Sequence, residues 1–387
     1  MNKDATGTGA PRRVPRYDLV TPMLPCREEI LAGVDRLLRS GEYILGREVR
    51  QLEQEMAEAC ACADAVGVAS GSSALYLALQ ACGVGPGTEV ITTPYTFVAT
   101  IEAIIRLGGT PVFVDIDPAD LNLRPDRVAS AVTPRTRVIL PVHIFGAPCD
   151  MEALTAIAAE HELDIVEDMC QAFGTYYRGR PAGSFGRLAC LSFYPTKNLP
   201  GIGDGGMVLC RDAADADLLR RLRGHECVRI DGRLHSGWNS RLDEIQALAI
   251  RVRLSRFADE QHDRDLVAGI YDELIPPAYR LVPPPPASGH RLTYHQYWIR
   301  TPDRATLTAR LEEAGIAYGI YYDPPLHRHP LVEYCRVHGD LAAAEAAARE
   351  VLALPIHQAL PLADARRVGE LVRRHLLDHG GRDRESA

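Results

Sequence analysis

The stretch Leu191-Ser192-Phe193-Tyr194-Pro195-Thr196-Lys197-Asn198 is the most informative part of the sequence for the fold. Its first half is apolar and suits a buried strand, whereas Pro195 lacks the N–H group that a strand ladder requires. We therefore expect a strand that ends before Pro195 and a loop that presents Lys197 at the carboxyl end of a sheet. In open α/β sheets, ligands bind beyond these carboxyl ends.

Short apolar runs alternate with helical patterns on both sides of this stretch. Strands are predicted at residues 65–70, 89–94, 111–116, 137–143, 164–168, 189–194 and 206–210. Helical spacing of apolar residues predicts helices at 73–81, 97–107, 151–161, 213–223 and 242–257. This alternation predicts an α/β fold with a mostly parallel seven-stranded sheet covered by helices.

The C-terminal third has a different pattern. Pro283-Pro284-Pro285-Pro286 marks a stiff connection, and beyond it strands are predicted at 295–300 and 317–322 and helices at 304–314, 341–352 and 363–377. We expect a large α/β domain over residues 17–257 and a smaller α+β domain over residues 258–379. Residues 1–16 are expected to form a disordered leader, and residues 380–387 a frayed tail.

Composition argues against several classes of protein. The formal net charge of −8 gives no basic surface of the kind that nucleic-acid binding requires. The sequence has no run of about 18–20 apolar residues that would cross a membrane and no signal peptide, so we expect a cytoplasmic protein. The ten cysteines are scattered and form no Cys-x-x-Cys pair, which indicates free thiols and no metal site.

Lysine is almost absent from the chain. Lys and Arg together number 43, and only Lys3 and Lys197 are lysines, which leaves 43 − 2 = 41 arginines. Arginine does not deprotonate to a nucleophilic amine and cannot form an imine with an aldehyde. Lys3 lies in the predicted leader, where a surface role explains it. Lys197 is therefore the candidate for chemistry that needs an amine, and the alternative is a solvated loop lysine.

Two further polar motifs follow predicted strands. Asp168 ends the strand at 164–168, and because successive side chains of a strand point to opposite faces, Glu167 and Asp168 cannot share one pocket. We expect one structural and one functional carboxylate; the alternative is that Asp168 only caps the next turn. Ser70-Gly71-Ser72-Ser73 opens a helix, where free backbone N–H groups suit a phosphate, although serine is also an ordinary helix cap.

These parts together suit pyridoxal phosphate. This cofactor requires an amine for its aldehyde, a carboxylate for its pyridinium nitrogen and hydrogen-bond donors for its phosphate. Lys197, Asp168 and the serine-rich helix start supply the three. We therefore predict that Lys197 holds the cofactor and also moves a substrate proton as a general base.

The chain also resembles the sugar aminotransferases of the DegT/DnrJ/EryC1/StrS family, which have the fold type I (aspartate aminotransferase-like) architecture. The resemblance runs from about Pro22 to about Leu376. It rests on the ordered motifs GEYILG at 41–46, SGSSAL at 70–75, TPYTFVAT at 93–100, PVH at 141–143, EDMCQA at 167–172, SFYPTKN at 192–198 and GWNSRLDEIQ at 237–246.

The resemblance implies contacts to the ring of the cofactor. Lys197 matches the lysine that forms the Schiff base, and Asp168 matches the partner of the pyridinium nitrogen. Gln171 matches a residue near the 3-hydroxyl group of the ring, and Phe97 falls where an aromatic side chain stacks on it.

It also implies contacts to the phosphate. Ser72 and Ser73 match the phosphate-binding backbone amides, although the family more often has Thr at the first position, and Ser192 matches a phosphate-binding hydroxyl. Asn239 matches an asparagine that reaches the phosphate of the neighbouring subunit. The resemblance therefore implies a homodimer with two shared sites.

The activity that the resemblance implies is amino transfer from glutamate or glutamine to a keto sugar, with ping-pong kinetics through pyridoxamine phosphate. The motif at 238–246 favours nucleotide-linked 3-keto-6-deoxy sugars, of antibiotic deoxysugar or surface-polysaccharide pathways. Acceptors with a 4-keto group and keto-cyclitols of the 2-deoxy-scyllo-inosose type stay open. Arg178 and Arg180, or Arg229 and Arg233, are candidates for holding a nucleotide diphosphate.

Some features leave other activities open. Tyr321-Tyr322-Asp323 stands where the family often shows His-Tyr-Pro, and this departure leaves the sugar preference undecided. A lyase or aldolase of the same fold type, or a catalytically idle regulatory member, are the alternatives to an aminotransferase. Relatives with His in place of the lysine act as dehydratases, and Lys197 argues against that variant.

Overall fold

The computed structural model describes residues 12–280 and 289–379, without the side chain of residue 379. The helices are α1 (Arg27–Ser40), α2 (Arg47–Ala59), α3 (Gly71–Ala81), α4 (Ala99–Arg106), α5 (Pro125–Ala131), α6 (Met151–Glu160), α7 (Ala213–Leu222), α8 (Glu244–Leu254), α9 (Phe257–Leu274), α10 (Arg304–Glu313), α11 (Ala342–Glu350) and α12 (Leu362–His379). The strands are β1 (Asp64–Val68), β2 (Glu89–Thr92), β3 (Thr110–Phe113), β4 (Thr136–Ile139), β5 (Asp164–Asp168), β6 (Tyr176–Tyr177), β7 (Arg180–Pro181), β8 (Leu188–Ser192), β9 (Gly206–Cys210), β10 (Cys227–Ile230), β11 (Arg233–Ser236), β12 (Tyr297–Arg300), β13 (Arg336–Val337) and β14 (Val351–Leu354).

One large sheet organises the structure. Its strand order is β1-β9-β8-β5-β4-β2-β3-β13, and only β9 runs antiparallel to its neighbours, β1 and β8. The predicted α/β fold with a mostly parallel sheet is confirmed. The predicted count of seven strands is wrong, because β13 from the C-terminal region pairs with β3 at the edge and makes eight. A two-residue strand is too short to show a periodicity in the sequence.

Helices bury both faces of this sheet. On one face, α3 packs against β8 and β9 with nine of its eleven residues buried. On the other face, α2 packs Val49, Leu52 and Met56 into a core with Leu191 and Met207. Neither α1 nor α2 was predicted, because six charged residues interrupt the apolar pattern of each. The signal was present in α2, since positions 49, 52 and 56 recur at helical spacing.

The C-terminal region builds a core around β12 and β14, with α9, α10 and α12 packed on it. The strand predicted at 317–322 is wrong, because that segment forms only a single bridge, from Gly319 to Ala353. The partner of β12 is instead β14, which the sequence placed in a helix over 341–352. Helix α11 ends at Glu350, and the four residues of β14 are all buried. The apolar run there continues the alanine-rich helical pattern, so periodicity could not separate strand from helix.

The N-terminal segment is ordered further than predicted. Val14 is 1% exposed, bridges to Ile316 and belongs to the C-terminal core. Residues 12–16 are therefore not a disordered leader, because an apolar side chain there is buried by tertiary contacts. The remaining leader, the Pro283–Pro286 connection and the predicted tail lie outside the described residues.

The predicted boundary between residues 257 and 258 falls at the start of α9. Val14 crosses this boundary in one direction, because it packs into the C-terminal core, and β13 crosses it in the other, because it joins the large sheet. The two predicted domains are therefore interleaved at these points. Within the described parts of the chain, no helix combines the length and apolar character that a bilayer-spanning segment needs.

Candidate active site

A cavity of about 450 Å³ lies beyond the carboxyl ends of β5 and β8, beside the first turn of α3. Six of the eight predicted site residues line it, namely Ser72, Phe97, Asp168, Gln171, Ser192 and Lys197. Ser73 and Asn239 do not. The parallel sheet explains the convergence, because its strands deliver their carboxyl ends to one edge.

Lys197 lies on the loop that follows β8, as its sequence context predicted. The loop begins with a turn in which the backbone N–H of Lys197 donates to the carbonyl oxygen of Tyr194 at 2.8 Å. The side chain is half-buried and lines the cavity. Burial lowers the pKa of this amine, and the nearby Cys170 and Asp168 act in the opposite direction. A lowered pKa favours the neutral amine, which is the nucleophilic form.

Asp168 forms part of the cavity floor at the end of β5. It is 4% exposed, and Thr100 Oγ1 donates to its Oδ2 at 2.9 Å while the backbone N–H of Cys170 donates to its Oδ1 at 3.2 Å. Thr96 Oγ1 lies 3.1 Å from Thr100 Oγ1, so Thr100 can accept from Thr96 while it donates to the carboxylate. The carboxylate is thus fixed in orientation and still lines the cavity.

Glu167, the preceding residue, points to the other side of the sheet and does not line the cavity. It lies 2.9 Å from Nε2 of His143 and accepts backbone N–H groups of Gly183, Phe185 and Gly186 at 2.7–2.8 Å. Its side chain is fully buried. The two adjacent carboxylates therefore have the separate environments that strand geometry predicted.

The first turn of α3 has the geometry of an anion site. Ser72 lines the cavity, whereas the amide of Ser73 donates to Oγ of Ser70 at 3.1 Å in an N-terminal cap. A Cβ atom on Gly71 would lie 2.7 Å from Cβ of Ser192, so only glycine lets the helix start approach β8 this closely. The close approach places the Ser192 hydroxyl beside the N-terminal N–H groups of α3.

Phe97 and Gln171 both line the cavity. Phe97 is 57% exposed, which is unusual for a large apolar side chain within a motif of otherwise mostly buried residues. Gln171 is held by its Oε1, which accepts the backbone N–H of Phe145 at 2.8 Å, and by its Nε2, which donates to the Tyr322 hydroxyl at 2.9 Å. An exposed ring and an anchored amide are the surfaces that a planar ligand requires.

Asn239 is exposed on the loop between β11 and α8, and its Oδ1 accepts from Nε of Arg241 at 3.0 Å. The four arginines suggested for a nucleotide diphosphate also lie outside the cavity wall. Arg178 pairs with Glu152, and Arg233 donates to the carbonyl oxygen of Pro86 at 3.2 Å. Within this chain they have other partners.

Several cavity residues were not predicted from the sequence. They are Tyr17 in the N-terminal segment, Thr96, Thr100, Phe145, Tyr194 and Asp204 in the large unit, and His295 and Gln296 near β12. Thr96 and Thr100 fall within a motif that carried the family resemblance, so their polarity on an otherwise apolar segment was a usable signal. Tyr17 and Gln296 had no such signal, because only tertiary folding brings these segments together.

The cavity matches the donor set that pyridoxal phosphate requires. It offers the amine of Lys197, the oriented carboxylate of Asp168, the exposed ring of Phe97 and a helix N-terminus beside the Ser192 hydroxyl. The residues present therefore fit the cofactor.

Known proteins provide independent evidence. The chain matches the DegT/DnrJ/EryC1/StrS aminotransferase family over residues 25–373. It is 39% identical to a UDP-N-acetyl-3-dehydro-alpha-D-glucosamine 3-aminotransferase of Acidithiobacillus ferrooxidans, over 95% of this chain and 98% of that protein. It is 40% identical to a dTDP-3-amino-3,4,6-trideoxy-alpha-D-glucose transaminase of Streptomyces venezuelae, over 93% of this chain and 96% of that protein.

Two further matches bear on activity and fold. A protein of Geobacillus stearothermophilus called a pleiotropic regulatory protein is 42% identical, over 89% of this chain and 93% of its own length. The solved structure of S. venezuelae DesV in complex with a ketimine intermediate superposes with a TM-score of 0.87 at 40% identity, over 94% of this chain and 98% of that one. The chain belongs to the DegT/DnrJ/EryC1/StrS aminotransferase family and is a pyridoxal-phosphate-dependent aminotransferase.

Proposed function

We propose that this enzyme moves an amino group from glutamate or glutamine to a nucleotide-linked keto-deoxysugar, preferably one with a 3-keto-6-deoxy ring. The single observation that carries the chemistry is that Lys197, Asp168 and the start of α3 converge on one cavity. The position of the keto group is supported by the relatives that are named as transaminases of 3-amino sugars, at about 40% identity over more than nine tenths of the chain.

Lys197 has two roles in this proposal. Pyridoxal phosphate supplies an aldehyde that takes up an amine and a ring that accepts the electrons of a broken Cα–H bond. Nζ of Lys197 would hold the cofactor through its aldehyde. As a free amine, the same Nζ would carry the proton away from Cα of the donor. The lowered pKa of Lys197 in the cavity suits a group that must be an uncharged base.

Asp168 keeps the ring nitrogen protonated. Thr100 and the backbone N–H of Cys170 donate to the carboxylate and fix its orientation, so its charge would not need to reorganise during the reaction. Asp168 would thus stabilise a positive charge on the ring nitrogen. Gln171 would contact the ring through its anchored amide, and Phe97 would stack on it.

The phosphate is anchored by the first turn of α3 and by Ser192. Ser72 lies in the cavity wall, and the amide of Ser73, which donates to Oγ of Ser70 in this structure, would donate to a phosphate oxygen when the cofactor is bound. The partial positive charge of a helix N-terminus adds to these hydrogen bonds.

The enzyme is proposed to act as a homodimer in which Asn239 reaches the phosphate of the other subunit. Support comes from its exposure and from its absence from the cavity of its own chain. Three large side chains are also exposed in this region: Tyr43 is 52% exposed, Ile44 45% and Trp238 42%. Trp238 precedes Asn239 in the chain, and the segment of Tyr43 and Ile44 is joined to the segment that follows Asn239 by a bridge from Ile44 to Asp243. An exposed apolar surface of this kind is typical of a subunit interface.

Acceptors with a 4-keto group and keto-cyclitols are the alternatives for the substrate. The regulatory name of the Geobacillus relative does not favour a non-catalytic role here, because the predicted contacts to the cofactor ring all line the cavity. An intact site argues for a catalytic role. The proposed pathway is the synthesis of an antibiotic deoxysugar or a surface polysaccharide.

The proposal is tested by running the second half-reaction in reverse. Holoenzyme is mixed with a nucleotide-linked 3-amino-6-deoxy sugar, its 4-amino isomer and an amino-cyclitol, and the visible absorbance of the bound cofactor is followed. We expect the 3-amino sugar to discharge the absorbance at least about tenfold faster than the others. A faster reaction with the 4-amino sugar or the cyclitol would contradict the proposed acceptor and leave the aminotransferase assignment intact.

A further inference from the structure

A cluster of four side chains, Arg16, Tyr17, Gln296 and Tyr321, forms the part of the site that we call the mouth. Nη2 of Arg16 lies 2.5 Å from the Tyr17 hydroxyl and 3.3 Å from Oε1 of Gln296. The Cζ atom of Arg16 lies over the rings of Tyr17 and Tyr321, at 4.6 and 4.5 Å from their centroids. Tyr17, Gln296 and Tyr321 line the cavity, and Arg16 lies behind them.

The hydrogen bonds of this cluster fix the direction of the Tyr17 hydroxyl. Its oxygen accepts from Arg16 and also from Nε2 of Gln296, at 2.8 Å. These two donors fill its lone pairs, so the remaining O–H bond must point elsewhere. The Tyr321 hydroxyl, at 3.3 Å, is a distant acceptor. Tyr17 is therefore arranged to donate a hydrogen bond to a ligand in the cavity, and the guanidinium behind it strengthens that donor.

Charge points to the kind of ligand. Among the residues that the structure describes, no carboxylate forms an ion pair with Arg16, although burial lowers the pKa of its guanidinium. The described cavity wall contains no arginine, and the cofactor occupies Lys197. His295 is uncharged at neutral pH, because burial, helped by the nearby cations, holds its pKa well below the ordinary range. Arg16 is thus a cation that no described carboxylate neutralises in an ion pair, and its guanidinium contacts the cavity residues Tyr17, Gln296 and Tyr321 directly. Arg264, the other cation nearby without an ion pair, donates instead to the carbonyl oxygens of Tyr294 and Ile356.

We propose that the Tyr17 hydroxyl binds the α-carboxylate of the amino-acid donor, and that Arg16 is the positioning residue that supplies the opposing charge. An amino-acid donor carries its carboxylate on the carbon that reacts, so an aminotransferase must place an anion near the cofactor. The inference rests on the proposed use of glutamate or glutamine as donor. It also gives a role to Tyr321, which stands where the family resemblance led us to expect His.

The test uses holoenzyme and separates the two half-reactions. Tyr17→Phe removes only the hydroxyl, and Arg16→Met removes the charged guanidinium group while keeping an unbranched side chain. We expect KM for glutamate to rise about 10-fold in Tyr17→Phe and about 10- to 100-fold in Arg16→Met, with kcat changed less than about threefold. Arg16→Lys should recover most of the loss. The half-reaction with the amino sugar should change less than about threefold in all three variants.

A binding measurement provides a readout independent of turnover. Glutarate, which has carboxylates and no amine, is titrated into each holoenzyme by calorimetry, and its Kd should weaken in parallel with KM. Tyr318→Phe and Arg12→Met are matched controls, because Tyr318 donates to Glu312 and Arg12 pairs with Asp364 away from the cavity. Both should behave as wild type, and melting temperatures check that every variant is folded.

Two outcomes separate this inference from the proposed function. If neither glutamate nor glutamine removes the visible absorbance of the cofactor in wild-type enzyme, the proposed donor is wrong. If wild-type enzyme uses glutamate and the Tyr17 and Arg16 variants keep its KM, or weaken both half-reactions equally, the inference alone is overturned.

Discussion

The floor and the mouth of the cavity are built in different ways. The floor consists of Asp168 at the end of β5, Lys197 on the loop after β8 and Ser72 in the first turn of α3, which packs against β8. The mouth joins Tyr17 to Gln296 and Tyr321, which are 279 and 304 positions away in the chain. The order of the strands in the sheet therefore fixes the floor, whereas the mouth forms only when the N-terminal and C-terminal segments meet.

This difference indicates which part of the site can be substituted without loss of the cofactor reaction. A change at the floor alters the positions where the cofactor reacts, and those positions follow from strand geometry that the sheet requires anyway. A change at the mouth alters side chains on connecting segments, which tolerate substitution better. Tyr321, where the family often shows His, lies at the mouth, whereas Asp323 does not line the cavity and pairs with Arg304 at 2.6 Å. We therefore assign cofactor chemistry to the floor and substrate choice to the mouth.

The assignment of cofactor chemistry to the floor predicts the largest effect for Lys197→Ala. Without the amine, the protein should lose the visible absorbance of the lysine-bound cofactor, and turnover should fall by about 10⁴-fold, since both the covalent link and the base are lost. Absorption spectra and single-turnover kinetics measure these two quantities.

Lys197→Arg is the matched variant for this test, because it keeps a positive charge that cannot form an imine. It should be as inactive as Lys197→Ala and fold equally well. A visible spectrum that survives in either variant would place the cofactor on another group, and the floor would need a different assignment.

A smaller but still large effect is expected at Asp168. Asp168→Asn keeps the shape of the floor and its contact with Thr100, but removes the charge that faces the ring nitrogen. We expect the protein to retain its cofactor while kcat falls by about 10²- to 10³-fold. Cofactor content by absorbance and kcat by steady-state kinetics test the two statements. Near-normal kcat would show that Asp168 supports the floor without taking part in the chemistry.

The same division explains how much the sequence revealed. Lys197 was found because lysine is almost absent from the chain and because this lysine follows an apolar strand, and Asp168 was found because it ends one. The separate environments of Glu167 and Asp168 follow from the alternation of side chains along β5. Tyr17 was missed because its partners are nearly 300 positions away, beyond the reach of any local pattern. The strand β14 was missed for a related reason, since only pairing with β12 distinguishes it from the end of a helix.

Glu167→Gln tests the opposite face of the floor, where we expect an effect on stability and not on chemistry. Burial raises the pKa of Glu167, but the His143 contact and backbone N–H groups outweigh it, so the pKa lies below its ordinary value of 4.5. The charged form therefore stabilises the fold above about pH 4.5, and this contribution is lost as pH falls through the lower folded value. The substitution should cost about 2–4 kcal/mol at pH 7.

Denaturant unfolding across pH 3–7 measures this contribution. The stability of wild type should fall more steeply on the acid side than that of Glu167→Gln. Glu313→Gln, on the exposed end of α10, is the control and should match wild type. Equal acid sensitivity of the two proteins, or a loss of kcat in folded Glu167→Gln enzyme, would remove the distinction between the two faces of β5.

The smallest effect is expected at Asn239. It tests whether the phosphate site of the floor needs a residue of a second subunit. If Asn239 donates to the phosphate in the other subunit, Asn239→Ala should weaken cofactor binding about tenfold, the value of one hydrogen bond to a charged group, and leave kcat of the loaded enzyme nearly unchanged. Dialysis against buffer without cofactor, with sedimentation to record the subunit state, measures both parts.

Arg241→Met removes the present partner of Asn239 without touching the amide, so it should not release cofactor. An Asn239→Ala dimer that retains cofactor as tightly as wild type would mean that the first turn of α3 and Ser192 hold the phosphate unaided, so that the floor is encoded by one chain.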